Sequence, residues 1–362
     1  MDQFLNDMEK EKPIRFTSRQ LKIATDNFST LLGSGGFGAV YKGVFNDETM
    51  VAAKVLHGTS DKRIEQQFMA EVGTIGRVHH FNLVRLYGFC LDKNLRALVY
   101  EYLQMVRLTE KILGFEKLHE IAVGTAKGIA YLHEECQQRI IHYDIKPENI
   151  LLDSKFCPKV ADFGLAKLCN RENTHMSMTG GRGTPGYAAP ELWMPYPITH
   201  ECDVYSFGML LFEIIGWRRN LNVQLPDSQE WFPRWVWKNI ESNGDIGELM
   251  EACEIDEGNR ETVERMVKTA LWRVQYRAER RPLMSMVVKM LDGAAEIPQP
   301  SNPFEHLLDH NSTIVAAGIS SSTWKDDSEP SSSVVADQSK LVVETPTTNM
   351  ENCEIEVVCT ST

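Results

Sequence analysis

The stretch HYDIKPENILLD places Asp144, Lys146 and Asn149 within six residues, and ADFGLA adds Asp162 shortly after. An acid can orient an attacking hydroxyl, a cation can offset charge on a moving phosphoryl group, and Asn and Asp oxygens suit Mg²⁺. Asp144 fits the first task, Lys146 the second, and Asn149 and Asp162 the third. Upstream, LLGSGGFGAV sets Gly33, Gly35 and Gly38 at GxGxxG spacing, with Val40 two residues later. Without a Cβ, glycine amides can approach phosphate oxygens closely. Lys54, in VAAKVL, follows 16 residues after Gly38. A cation there can grip phosphate oxygens if a carboxylate holds it. Glu71 is the candidate for that carboxylate, and Glu65 on the same helix is its rival.

Each signal has an ordinary alternative. A GxGxxG is often only a tight turn, but a dinucleotide fold would follow it with a helix, whereas AVYKGVF continues as a strand. A hairpin lid over a nucleotide fits better. A mid-strand lysine can be a solvent-facing edge residue, and a single loop Asp is usually a turn former or a cap. Five such elements in this order and at these intervals argue against chance. Trp231, Phe232, Trp235 and Trp237 crowd one segment; helix packing is favoured over a docking patch by roughly three to one. His79 and His80 read as a loop feature and not as metal ligands.

The elements that must position these residues change character along the chain. AVYKGVF, MVAAKVL, LVRLYGF and RALVYEY have strand composition, broken by Gly, Asn and Asp. Between them Ile64, Phe68, Val72 and Ile75 recur at helix spacing. Beyond Phe115, Leu118, Ile121, Ala122, Ile129 and Leu132 form one helical face. Further helices are expected at 203–216, about 229–240, 261–275 and 283–292. Strands first and helices second give an α+β chain of two lobes.

A chain of 362 residues suits one large two-lobed domain and a tail. The net charge is −12, and eight of those charges lie from Phe304 onward, where ten acids face only Lys325 and Lys340. That tail, Ser- and Thr-rich without apolar period, reads as disordered. No general basic face for nucleic acid is expected. The eight cysteines form no CxxC pair and read as reduced thiols. No secretory h-region opens the chain, and its most apolar window, Asp203 to Trp217, is too short and too charged to span a bilayer. The expected location of the chain as written is cytoplasmic.

From about Phe28 to Met290 the chain resembles the eukaryotic protein kinases, through these motifs together with AAPE (Ala188 to Glu191), DVYSFG (Asp203 to Gly208) and Arg281. DIKPEN and Thr184 in GTPGYAAPE resemble the serine/threonine branch. FTSRQLKIATDNF, HHFNLVRLYGFC and GGRGTPGYAAPELWMPYPIT resemble plant receptor-like kinases of the leaf-rust-resistance-kinase-like group. The resemblance implies a bilobal fold with a β-rich lobe at 28–101 and a mainly helical lobe at 104–295. It implies a juxtamembrane-like segment at 1–27 and a disordered tail at 296–362.

It also implies ATP with Mg²⁺, or Mn²⁺, transfer to protein Ser/Thr hydroxyls, and an upstream receptor or co-receptor kinase as partner. A chain forming the kinase part of a receptor would lie at the cytoplasmic face of the plasma membrane. Leu32, Val40, Ala52 and Leu151 would sandwich adenine, Tyr100 would be the gatekeeper, and Glu101 to Leu103 the hinge. His142, Phe163, Ile75 and Leu86 would stack as a spine. Asp203 would hold the catalytic loop from below, and Arg281 would pair with Glu191.

Two departures stand out. Tyr143 replaces the usual Arg beside the catalytic acid, which implies a live enzyme switched differently, since a neutral residue needs no phosphate to offset it. After the hinge, QMVRLTEKILG runs directly into FEKLHEIA, short of the family pattern. The shortening predicts weakened ATP binding and keeps open an alternative, a pseudokinase that signals by contact.

Overall fold

A computed structural model describes residues 13–307 apart from 36–37, 46, 58–61, 77, 104–112, 171–182, 195–196 and 227–228. The shortened post-hinge stretch and most of the acidic tail therefore lie outside the described residues. Strand β1 (Ile14–Arg15) and helix α1 (Ser18–Ala24) precede the hairpin of β2 (Leu31–Gly35) and β3 (Gly38–Val44). Then come β4 (Met50–Leu56), α2 (Lys62–Ile75), β5 (Leu86–Asp92) and β6 (Leu95–Glu101). The six strands form one sheet in the order β1-β5-β6-β4-β3-β2, with β1 parallel to β5 and the other pairs antiparallel.

Successive strand residues face opposite sides, and β4 uses both. Val51 and Ala53 are buried on one face, while Ala52 and Lys54 belong to the other. Helix α2 buries Ile64, Phe68, Val72 and Ile75 at the spacing read from sequence, and Phe68 meets Phe89 edge-on with ring centroids 5.8 Å apart. Strand β5 starts later than the run LVRLYGF suggests. Leu83 instead bridges to Val160 across the lobes, and Val84 N–H donates to Val160 O at 2.9 Å.

The helical lobe opens with α3 (Phe115–Ala130), which runs into a π-helical turn at Tyr131–Glu135. Short strands β7 (Arg139–Ile141), β8 (Ile150–Leu152), β9 (Pro158–Val160) and β10 (Lys167–Cys169) follow, paired β7 with β10 and β8 with β9. The chain continues through α4 (Glu201–Gly216), α5 (Phe232–Asn243), α6 (Gly247–Ala252), α7 (Arg260–Arg273) and α8 (Met284–Leu291). Helix α4 is apolar nearly all round and almost wholly buried, as a central helix must be. Phe232, Trp235 and Trp237 are buried in the same core, so the aromatic cluster is packing.

Both flanks differ from expectation. The stretch 13–27, expected to precede the domain as a juxtamembrane-like segment, packs on the sheet: Leu21 is buried against Val51, Cys90, Ala97 and Val99. Residues 296–307 are no disordered tail, because Trp272 Nε1 donates to Pro298 O at 2.9 Å and buried Phe304 packs on Trp231. Neither segment has a long apolar period, so only its seat on the folded domain orders it. Among the described residues, no helix is long and apolar enough to cross a membrane.

Candidate active site

Lys54 leaves β4 on the face turned toward α2, and its Nζ lies 2.8 Å from both Glu71 Oε1 and Asp162 Oδ1. Glu65, the rival, instead sits 3.8 Å from Arg96. Six residues, about 1.7 turns, separate the two acids, so they point in different directions and only Glu71 reaches Lys54. Burial alone would lower the ionisation of Lys54, but the two carboxylates outweigh it and push it above the ordinary lysine range. Burial pushes the Glu71 carboxyl up to about 7, further than the Lys54 charge pulls it back. Burial also opposes the charge on Asp162, yet Lys54 holds that carboxyl below the ordinary range. Asp162 adopts left-handed backbone (φ 63°, ψ 74°), a conformation that Asp tolerates better than most residues.

A second cluster adjoins it through the backbone, where Ala161 N–H donates to Asn149 O at 2.8 Å. Asp144 is buried, with Oδ2 2.9 Å from Lys146 Nζ, and Thr184 Oγ1 donates to Oδ1 at 2.6 Å. Lys146 also donates to Thr184 Oγ1 at 2.9 Å. Asn149 Nδ2 donates to Asp144 O at 2.7 Å and to its Oδ2 at 3.0 Å. A hydroxyl already rests on the acid, beside a cation.

The support is buried. Asp203, fully buried at the start of α4, accepts from the amides of His142 (2.7 Å) and Tyr143 (2.8 Å). His133 Nε2 lies 2.9 Å from the same carboxylate, a partner that sequence reasoning missed because nothing in its helical period marks it. His142 and Phe163 meet with ring centroids 4.8 Å apart, and Ile75 and Leu86 are buried with them. Arg281 grips Glu191 with two bonds of 2.5 and 3.0 Å, both side chains buried.

The glycine hairpin has room. A Cβ on Gly33 or Gly35 would meet nothing within 4 Å, so packing does not demand glycine at either position. A Cβ on Gly38 would stand 2.2 Å from Val55 O, so that glycine lets β3 close against β4. Leu32, Val40, Ala52, Leu103 and Leu151 are half-buried, and Tyr100 is buried opposite Ala52. Glu101 is tied down: its Oε1 accepts from Arg85 N at 2.8 Å and lies 3.2 Å from Lys159 Nζ, contacts the sequence did not announce.

No group of three or more His, Cys, Asp or Glu side chains gathers as a metal cluster among the described residues. One or two carboxylates with neighbouring oxygens is the donor set that suits Mg²⁺ beside substrate phosphates. Asp162 and Asn149 fit that set. His80 stacks on Tyr131 with ring centroids 4.8 Å apart, as a loop residue would. The residues together offer a glycine-rich cradle, a paired cation, a hydroxyl-holding acid and oxygen donors.

The comparisons agree with this chemistry. The family described as protein kinase domain matches residues 27–232. A G-type lectin S-receptor-like serine/threonine-protein kinase of Arabidopsis thaliana is 47% identical over 308 residues, 81% of this chain and 34% of the relative. The rust resistance kinase Lr10 of Triticum aestivum is 39% identical over 319 residues, 84% of this chain and 49% of that protein. A leaf rust 10 disease-resistance locus receptor-like protein kinase-like protein of Arabidopsis thaliana is 41% identical over 300 residues, 81% of this chain and 47% of the relative. The chain thus spans from a third to half the length of these relatives. With this match over more than half its residues, the chain belongs to the protein kinase family.

Proposed function

We propose that the chain transfers the γ-phosphoryl group of ATP to Ser and Thr hydroxyls of proteins. The observation that carries this reading is Lys54 held 2.8 Å from both Glu71 and Asp162, beside an Asp144 carboxylate already bearing a hydroxyl and a lysine. In this reading Gly33, Gly35 and Gly38 cover the phosphates, Lys54 binds their oxygens, and Glu71 orients Lys54. Leu32, Val40, Ala52 and Leu151 line the adenine, with Tyr100 behind it and Glu101 to Leu103 at its edge. Asp144 orients the acceptor: a substrate hydroxyl seated where Thr184 Oγ1 donates to it is turned toward the phosphoryl group. Lys146, 2.9 Å from both Asp144 and Thr184, offsets charge developing beside that hydroxyl.

Asp162 and Asn149 are the residues that would hold Mg²⁺, with Mn²⁺ as the alternative. Such an ion neutralises phosphate charge when bound. The kinase domain, in this proposal, runs from about residue 13 to 307. The relatives' printed names, receptor-like and rust resistance, support a role in defence-type receptor signalling at the cytoplasmic face of the plasma membrane. An upstream receptor or co-receptor kinase would be the partner. The test is transfer from labelled ATP to a generic protein acceptor. Lys54→Met and Asp162→Asn should each cost on the order of 2.7–4 kcal/mol of transition-state stabilisation without lowering the melting temperature. Near-normal turnover in either would overturn the reading.

A further inference from the structure

Ahead of the glycine hairpin, residues 13–28 form a strap, and the sheet has a seat for it. Strand β1 pairs with β5 in the register Ile14↔Gly88 and Arg15↔Phe89, and Phe16 N–H extends the pairing to Phe89 O at 2.8 Å. A Cβ on Gly88 would stand 2.0 Å from Ile14 O and 2.7 Å from the Phe16 ring. Phe16 stacks on Phe45 with ring centroids 5.2 Å apart, and Leu21 of α1 fills the gap over Val51, Cys90, Ala97 and Val99. These residues face away from Lys54 by the strand alternation. The strap thus lies directly behind the strand that carries the phosphate-facing lysine.

A side-chain clasp adds to the backbone pairing. Asp92, at the end of β5, accepts both the amide (2.8 Å) and the hydroxyl of Ser18, the first residue of α1. These bonds from Ser18, together with the nearby Arg15 charge, hold the Asp92 carboxyl below its ordinary range. The helix start has already used its neighbouring donors: Gln20 N–H goes to Thr17 Oγ1 at 3.2 Å, and Thr17 N–H to Gln20 Oε1 at 2.8 Å. An anion arriving at Ser18 would therefore meet the Asp92 carboxylate, with the amides of Thr17, Ser18 and Gln20 already bonded.

We propose that Ser18 is a phosphorylation latch: a phosphoryl group on its Oγ releases the strap from β5 and uncovers the outer face of the strand-rich lobe. Ser18 is only half-buried, and Thr17, Arg19 and Gln20 around it are exposed. Transfer from ATP by a protein kinase forms the Ser18 Oγ–P bond and breaks the bond from the γ-phosphorus to the bridging oxygen. ADP leaves, and the hydroxyl proton goes to solvent. The product has no hydroxyl hydrogen for Asp92 and sets a charge of about −1.5 to −2 against that carboxylate. Arg15 brings a single positive charge to the pair. With the strap released, Leu21 and the apolar residues beneath it become exposed.

The test uses the full chain with phosphoserine encoded at position 18. It is compared with unmodified protein, with Ser18→Ala, and with phosphoserine-18 protein carrying Asp92→Lys. Amide hydrogen exchange is read over residues 13–28 and over β4 to β6, in the absence of ATP. Exchange in 13–28 should be at least about tenfold faster with phosphoserine than in unmodified protein, and faster than in Ser18→Ala. Asp92→Lys should restore most of the protection. Equal exchange in phosphoserine-18 and Ser18→Ala protein would overturn the proposal, as would slower exchange on phosphorylation. Failure of Asp92→Lys to restore protection would also count against it. No step of the readout depends on turnover, so such a result would leave the proposed catalysis standing.

Discussion

Tyr143 shows what a single residue decides. It is 2% exposed with φ 66°, its amide held by Asp203, and its side chain shares an apolar cluster with Ile141, Cys169, Ala189, Leu192, Ile198 and Cys202. Where an arginine would await a phosphate, an aromatic ring already ties the Asp144 loop to the segment that carries Glu191. Turnover should therefore fall only modestly after phosphatase treatment. Tyr143→Ala should lose about 3–5 kcal/mol of stability in denaturant unfolding, because it leaves a cavity between those two segments. A large phosphatase effect with little loss in Tyr143→Ala would mean that phosphate, not packing, orders the segment. Glu71 makes a second residue-scale prediction. Its carboxyl titrates at about 7, and only its charged form holds Lys54 by an ion pair. Proton uptake on lowering the pH through 7 should thus weaken Lys54 and reduce kcat/KM for ATP. Because the folded value lies above the ordinary carboxyl value, protonation favours the fold, and stability should not drop with the activity in that window. In Glu71→Gln that limb of the pH profile should vanish, at a lower plateau.

At the scale of elements, Arg273 of α7 is the anomaly. It is fully buried and bonds to Pro282 O at 3.0 Å, Thr269 O at 3.3 Å and Met290 Sδ at 3.2 Å, with no carboxylate against it among the described residues. A buried cation without an anion is costly. Arg273→Met should raise the melting point by the equivalent of about 1 kcal/mol or more, and a fall would show that its carbonyl bonds outweigh its desolvation. The helices that position the site were legible because Phe68, Val72 and Ile75, and Leu118, Ile121 and Ile129, repeat at a helical period over a long enough run. Strand β4 was legible from Met50 to Leu56 by composition. Helix α1 was not, since it has seven residues and buries only Leu21. Its order comes from contacts outside the helix: Asp92 holds Ser18, and a Cβ on Gly43 would stand 3.1 Å from Ala24 O, so that glycine leaves room for the helix end. Sequence put Glu71 ahead of Glu65 without deciding between them, because both share one helix and only the packed sheet says which reaches Lys54. The bond from Thr184 to Asp144 could not be foreseen either; spacing marks Thr184 only as part of a motif.

Over the whole molecule, the boundaries are set by what packs and not by where motifs stop. Phe304 is 3% exposed against Trp231, Gln275 exchanges bonds with Ser301, and His306 lies against Tyr276. A chain ended after Leu307 should keep the melting temperature and turnover of the full chain. Phe304→Ala, or a chain ended at residue 295, should lose stability, about 3–5 kcal/mol for the substitution. Equal melting of the two truncations would show that Phe304 contributes nothing. Both lobes meet at the Lys54, Asp162 and Asp144 groups, and Arg281–Glu191 and Asp203 brace the lower half from within the core. The measurement that bears most directly on this account is phosphoryl transfer from labelled ATP with Mg²⁺ to a generic protein acceptor, wild type beside Asp144→Asn. The account predicts labelled phosphoserine and phosphothreonine with the wild-type chain, and a loss of about a hundredfold or more in a well-folded Asp144→Asn. A folded wild-type chain that transfers no more phosphate than Asp144→Asn would contradict it, and would favour a protein that signals by contact alone.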